Sequence, residues 1–169
     1  MRLELCMRKY AVYLCGFFIL YLTAHMENVF AAGQQFPKFA AVQKAAEQVN
    51  AEAQFELGAM YYEGRGVSKD ERKAAEWYQK AANQGDATAQ CNLGMMYFKG
   101  NGVPEDSSKA AKWFQKAANQ GFAHAQFMLG AMYARGRGLP KDSRKAVEWL
   151  QKAAGQGNEN AQKALKILQ

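Results

Sequence analysis

The heptapeptide QKAANQG stands at Gln79–Gly85 and again at Gln115–Gly121, and QKAAGQG follows at Gln151–Gly157. The closing glycines are 36 residues apart (121 − 85 and 157 − 121), and the blocks 51–86, 87–122 and 123–158 align without a gap. An internal period of this length constrains the fold more than any other feature. Each block must be one supersecondary unit that buries its apolar face against its neighbours. The heptapeptide itself contains no His, Cys, Ser or paired carboxylates. Its repetition therefore points to architecture and not to chemistry.

Each block divides into two helical halves. In block one Ala53, Leu57, Met60 and Tyr61 recur at helical spacing, and Gly64 stands where a left-handed C-terminal cap is wanted. This predicts a helix A over about Ala51–Glu63. The loop GRGV reverses the chain, and Asp70 offers a carboxylate to the free amides of a helix B over about Glu71–Asn83. Helix B carries Ala74, Ala75, Trp77, Tyr78, Ala81 and Ala82 as a broad apolar face, leaves Lys80 and Gln84 to solvent, and ends at Gly85. Gly58, Gly94 and Gly130 fall in the middle of helix A, where glycine costs about 1 kcal/mol relative to alanine. Close approach of the helix B backbone is the expected compensation. Trp77, Trp113 and Trp149 are expected to supply the large apolar area of each layer.

The pattern continues beyond the three blocks. Shifted by one period, QKAAEQVN at Gln43–Asn50 overlays QKAANQGD, so segment 32–50 contains a degenerate helix B. At the other end ENAQKALKILQ, Glu159–Gln169, overlays a fourth helix A with Lys166 in place of the glycine, and reads as a C-terminal capping helix. The expected fold is all-α: an α/α superhelical solenoid of antiparallel helix pairs.

The first thirty-one residues differ. Arg2, Arg8 and Lys9 precede the apolar run YAVYLCGFFILYLTA, Tyr10–Ala24, which is shorter than the ~20 residues that span a bilayer. HMEN then leads to VFA, with cleavage expected near Ala31. This reads as a signal peptide over 1–31 and places the mature chain in the periplasm or outside the cell, the alternative being an inner-membrane anchor. Cleavage removes Cys6 and Cys15 and leaves Cys91 alone, so no intramolecular disulfide is possible and packing must hold the fold.

The residues Ala53, Gln54, Leu57, Gly58, Met60, Tyr61, Gly64, Gly66, Asp70, Lys73, Ala74, Trp77, Lys80, Ala81, Ala82 and Gly85, with their counterparts one and two periods on, resemble the Sel1-like repeat, a relative of the tetratricopeptide repeat. The resemblance covers roughly Phe39–Gln169. It implies an α/α superhelix that binds other proteins, and for exported bacterial members it implies roles in envelope upkeep or host-cell contact. A cysteine-rich branch of secreted relatives carries a disulfide-forming pair in each repeat. Cys91 is the only repeat cysteine here, so the β-lactam chemistry proposed for that branch does not transfer.

Little in the chain speaks for catalysis. His124 is the only histidine of the mature chain, and no HExxH or CxxC occurs. The GRG and GNG loops follow helices and not strands, so they are turns and not phosphate cradles. Asp70, Asp106 and Asp142 repeat without a second carboxylate in register, which makes them caps. No metal and no cofactor is expected. The net charge of +7 is spread along the blocks and not clustered, which argues against nucleic acid, and contact with a membrane is expected only through the signal sequence.

If the repeated positions build the stack, ligand choice falls to exposed positions where the blocks differ. The second, fifth, ninth and twelfth residues of helix A share one face. With the neighbouring thirteenth residue they give the candidate partner-binding set Glu52, Phe55, Tyr62, Glu63, Thr88, Cys91, Met95, Phe98, Lys99, His124, Phe127 and Arg135. This face grades from acidic to basic with aromatic and Met residues between. Phe55, Phe98 and Phe127 admit two readings, core between adjacent repeats or lining of a groove. Cys91 likewise reads as a reactive thiol or as the occupant of a half-buried apolar pocket. The expected function is that of a monomeric, non-catalytic scaffold or adaptor that holds a protein or peptide partner in a groove. The alternative is an envelope enzyme or a peptidoglycan- or β-lactam-binding protein.

Overall fold

The structure, a computed structural model, describes residues 38–168. Phe39–Gln169 forms one compact unit. The signal sequence expected over 1–31 lies outside the described residues. The regular elements of the described chain are α1 (38–47), α2 (Ala51–Glu63), α3 (Glu71–Asn83), α4 (Ala87–Lys99), α5 (Ser107–Asn119), α6 (Ala123–Arg135), α7 (Ser143–Gly155) and α8 (Glu159–Leu168). The A helices are α2, α4, α6 and α8; the B helices are α1, α3, α5 and α7. α2, α4 and α6 each pack most closely on the B helix of their own repeat, and α3, α5 and α7 each also pack on the A helix that follows. This is the all-α solenoid of antiparallel helix pairs that the period predicts. Direct contact between α6 and α8 puts neighbouring A helices side by side on one face.

Local chemistry fixes the helix ends. The Asp70 carboxylate accepts from the Arg72 and Lys73 amides at 3.1 Å each, and Asp142 repeats this on Arg144 and Lys145 at 3.0 Å. Asp106 accepts from the Lys109 amide at 2.8 Å. Such caps contribute about 1 kcal/mol each. Gly64 closes α2 in the left-handed region at φ 77°, and its N–H reaches the Met60 carbonyl at 2.8 Å. A second glycine of the loop has a different task. A Cβ on Gly102 would run into the Glu71 carbonyl, and one on Gly138 into that of Ser107. These glycines let the loop of one repeat sit on the first turn of the previous helix B.

The core consists of Leu57, Leu93 and Leu129 with Met60, Met96 and Met132, packed against rows of buried alanines from the B helices. Two expectations are corrected here. The large buried side chain of each layer is Tyr78, Phe114 or Leu150, the residue after each tryptophan. Trp77, Trp113 and Trp149 are only half-buried, and a lysine ammonium covers each ring: Lys80 at 3.6 Å, Lys116 at 4.0 Å and Lys152 at 4.2 Å from the centroid. Helical geometry explains the swap, because a one-residue step turns the side chain by about 100°. The same shift explains the mid-helix glycines. A Cβ on Gly58 would stand 2.7 Å from Tyr78 Cδ1, one on Gly94 2.8 Å from Phe114 Cε1, and one on Gly130 2.8 Å from Leu150 Cγ. A side chain of helix B fills the space, where the sequence pattern alone suggests its backbone.

The buried glutamines form the polar seam of the stack. Gln54 Nε2 donates to the Ala46 carbonyl at 3.0 Å, and Gln54 Oε1 accepts from Gln84 Nε2 at 2.7 Å. Gln90 repeats this between Ala82 and Gln120, at 3.1 and 2.9 Å, and Gln126 between Ala118 and Gln156, at 3.2 and 2.8 Å. Gln120 and Gln156 reach further, to the carbonyls of Gly85 and Gly121 at 2.9 Å each, one repeat back. The second Gln of QKAANQG is thus exposed, as the pattern predicts, and yet ties helix B to helix A of its own repeat, Gln120 and Gln156 reaching the repeat before as well.

Candidate partner-binding face

The A helices place their variable residues along one side of the stack. Between α2 and α4 lies a recess of about 310 Å³ lined by Tyr62, Glu63, Tyr78, Asn92, Met95, Met96, Lys99 and Asn101. Four of the candidate residues, Tyr62, Glu63, Met95 and Lys99, meet here. Tyr62 and Met95 are half-buried and Lys99 is exposed. Glu63 is exposed and pairs with Arg65 at 2.6 Å. Burial pushes the Tyr78 hydroxyl at the floor up to about 12, so the floor is neutral across the physiological range.

A second recess, about 430 Å³, lies between α6 and α8 and includes Phe127 and Arg135. Phe127 also packs on the cluster of Leu150, Ala153 and Ala161, so it serves as both core and wall. Beside it His124 has its ring centroid 6.3 Å from that of Phe127. Burial, and then the Lys99 ammonium, hold its pKa below the usual imidazole value. The imidazole is therefore neutral at pH 7. Glu52 is exposed and Thr88 half-buried on the same face.

Three candidates have other work. Cys91 is 2% exposed within the cluster of Ala110, Phe114 and Leu129, and burial pushes its thiol up to about 12. It can neither touch a partner nor act as a nucleophile, which removes it from the set. Phe55 packs on Tyr78 of its own repeat with centroids 5.6 Å apart, and against the core cluster that includes Leu93 and Met96 of repeat two. The Arg137 guanidinium covers Phe98 at 3.9 Å from the ring centroid and continues to Glu105 Oε1 at 2.9 Å and Ser107 Oγ at 3.2 Å. That contact staples repeat three to repeat two.

The structure also adds lining residues outside the candidate set. Asn92 and Asn101 line the first recess, and Lys163, Ile167 and Leu168 the second. A signal was available for two of them: one period before Lys163 and Ile167 stand Phe127 and Ala131, the fifth and ninth residues of helix A. Among the described residues no group of three or more His, Cys, Asp or Glu side chains is placed to hold a metal ion. No helix among them is long and apolar enough to cross a membrane.

The comparisons with known proteins agree on the architecture. The profile of the Sel1 repeat matches residues 51–86, 87–122 and 123–158. A search of curated protein sequences found no match. A crystal structure of a protective antigen present in uropathogenic Escherichia coli strains, described as displaying an SLR fold, is 39% identical with a TM-score of 0.72, over 75% of this chain and 27% of that one. The present chain thus spans about a quarter of that protein. A Sel1 repeat protein from Oxalobacter formigenes is 40% identical with a TM-score of 0.71, over 76% of this chain and 97% of that one. The cysteine rich protein B of Helicobacter pylori is 26% identical with a TM-score of 0.59, over 75% and 96%. Among the described residues this chain holds one free cysteine, Cys91, whereas that relative is described as cysteine rich. Sel1 repeats generally form non-catalytic scaffolds that bind protein partners, and with all three repeats matched by the profile the chain belongs to the Sel1 repeat family.

Proposed function

We propose that this chain is an exported, monomeric and non-catalytic binding module that engages a protein or peptide partner along its A-helix face, in envelope maintenance or in contact with host cells. One observation carries the reading. The repeated residues are consumed in the stack, whereas the recess between α2 and α4 is lined, Met96 apart, by residues that change from block to block. Its residue Tyr62 becomes Phe98 and Ala134 in the other blocks, and its residue Glu63 becomes Lys99 and Arg135. A rigid stack presents such a surface preformed, which lowers the ordering cost of binding. An aromatic and a thioether flanked by charges suit an extended segment with apolar anchors. Export is supported by the basic residues and apolar run of the first thirty-one residues. Likeness to a protective antigen adds support, because antibodies must reach such a protein.

The test is retention of a partner from envelope and secreted fractions on immobilised mature protein. A partner held by the wild type and lost with Tyr62→Ala and Lys99→Glu, at unchanged thermal stability, is the expected result. Cleavage of purified peptidoglycan, or saturable retention on it that these substitutions leave intact, overturns the reading.

A further inference from the structure

The recess between α6 and α8 has a chemistry of its own. Its walls are Phe127 and Leu150 on one side and Ile167 and Leu168 on the other. Ile167 is 84% exposed and Leu168 43%, two of the three exposed large hydrophobics among the described residues. The only charged side chains that line it are Arg135 and Lys163. Both are exposed, and neither is held by an ion pair or hydrogen bond among the described residues. Two arginines of the neighbouring loops differ in this respect. Arg65 is paired with Glu63 and Arg137 with Glu105. An apolar slot with two unneutralised cations at its rim and no carboxylate in its lining is complementary to one kind of ligand.

We infer that this recess docks an acidic protein segment bearing one bulky apolar side chain, the side chain entering between Phe127 and Ile167 and the flanking carboxylates meeting Arg135 and Lys163. The inference rests on the A-helix face being the binding surface, and it names the partner's chemistry at one end of that face. The apolar side chain gains by covering surface that water otherwise wets. The carboxylates supply register and a faster encounter.

The experiment uses the mature chain and three labelled peptides: glutamates flanking a single phenylalanine, the same peptide with glutamines, and the same with lysines. The glutamate peptide binds about tenfold more tightly than its glutamine counterpart at low salt, as two exposed charge pairs allow. That advantage shrinks as salt rises. Arg135→Glu with Lys163→Glu abolishes the preference, and Ile167→Asp weakens both acidic and neutral peptides. All three positions are exposed, so the fold tolerates the changes. Equal or tighter binding of the glutamine or lysine peptide overturns the inference, as does no binding of the glutamate peptide or binding indifferent to Ile167→Asp. A dimer in light scattering that Ile167→Asp dissolves also overturns it, assigning the face to a second copy. If a partner is lost with Tyr62→Ala and Lys99→Glu while the glutamate peptide never binds, this inference fails alone and the binding-module reading stands.

Discussion

Replacing Gly94 by alanine sets two physical effects against each other. Helix propensity alone makes the substitution stabilising by about 1 kcal/mol, since Gly94 lies inside α4. Packing says the reverse. The new Cβ would meet Phe114 at 2.8 Å from Cε1, 2.9 Å from Cδ1 and 3.2 Å from Cζ, where ordinary contact begins at 3.4 Å. The ring must retreat by some 0.6 Å (3.4 − 2.8), and Phe114 is 0% exposed among Ala110, Ala117 and Ala118. Overpacking of this kind costs about 1–3 kcal/mol, so the net effect is a destabilisation of about 1 kcal/mol. Phe114→Leu is not expected to rescue it, because Leu150 already crowds the equivalent glycine at 2.8 Å. Gly155 is the internal control: it ends α7, and a Cβ there meets nothing within 4 Å. Gly155→Ala therefore stabilises by up to about 1 kcal/mol. Urea unfolding followed at 222 nm reads both variants, with a lower midpoint for Gly94→Ala and a higher one for Gly155→Ala. A Gly94→Ala midpoint that rises as far as that of Gly155→Ala refutes the packing argument.

Other perturbations test other joints. Gln90→Leu removes the bonds to Ala82 and Gln120 from a side chain 4% exposed and lowers stability by about 2 kcal/mol, whereas Gln120→Ala, at the exposed end of the same link, costs about 1 kcal/mol in the same urea assay. In a chain with Cys6 and Cys15 replaced by serine, Cys91 resists a thiol reagent at pH 8 until denaturant is added, because burial holds its thiol at about 12; prompt labelling of the native protein contradicts the burial. Burial raises both Cys91 and Tyr78, from 9.0 and 10.0 to about 12, so the unfolded chain loses these protons first as pH rises. Their contribution is complete below pH 9 and is lost as pH climbs to about 12, and Cys91→Ala flattens the onset of a urea-midpoint profile. Removing the Arg137 staple with Arg137→Ala lowers stability by about 1 kcal/mol and raises amide exchange in the loop between α6 and α7.

The helix ends are the most legible part of the fold, because Gly64, Asp70 and Gly85 are local signals that act on backbone groups within a few residues. The partners of Gly58 are less so. A mid-helix glycine announces a close approach, but only the angular step from Trp77 to Tyr78 decides which residue makes it. The amphipathic width of helix B leaves both inside the apolar stripe. Gln84 escapes the pattern for a related reason: it is exposed at the end of a helix, and only the packing of α3 on α2 brings it to Gln54. Within the candidate face, charge and aromatic pattern mark Tyr62, Glu63, Met95 and Lys99. The pattern is blind to Cys91 under the next B helix and to the cover that Arg137 gives Phe98. The first is set by how α5 packs on α4, the second by the register of repeat three on repeat two.

The proposed binding function sits on the A face at positions where the blocks disagree. Photoreactive residues placed singly at Lys99 and Arg135 on that face, and at Lys112 on the outer side of α5, test it directly; all three positions are exposed. The expected result is capture of one and the same partner from positions 99 and 135 and none from 112, with Tyr62→Ala suppressing the capture. Capture from position 112 that matches the other two, or capture unaffected by Tyr62→Ala, contradicts it.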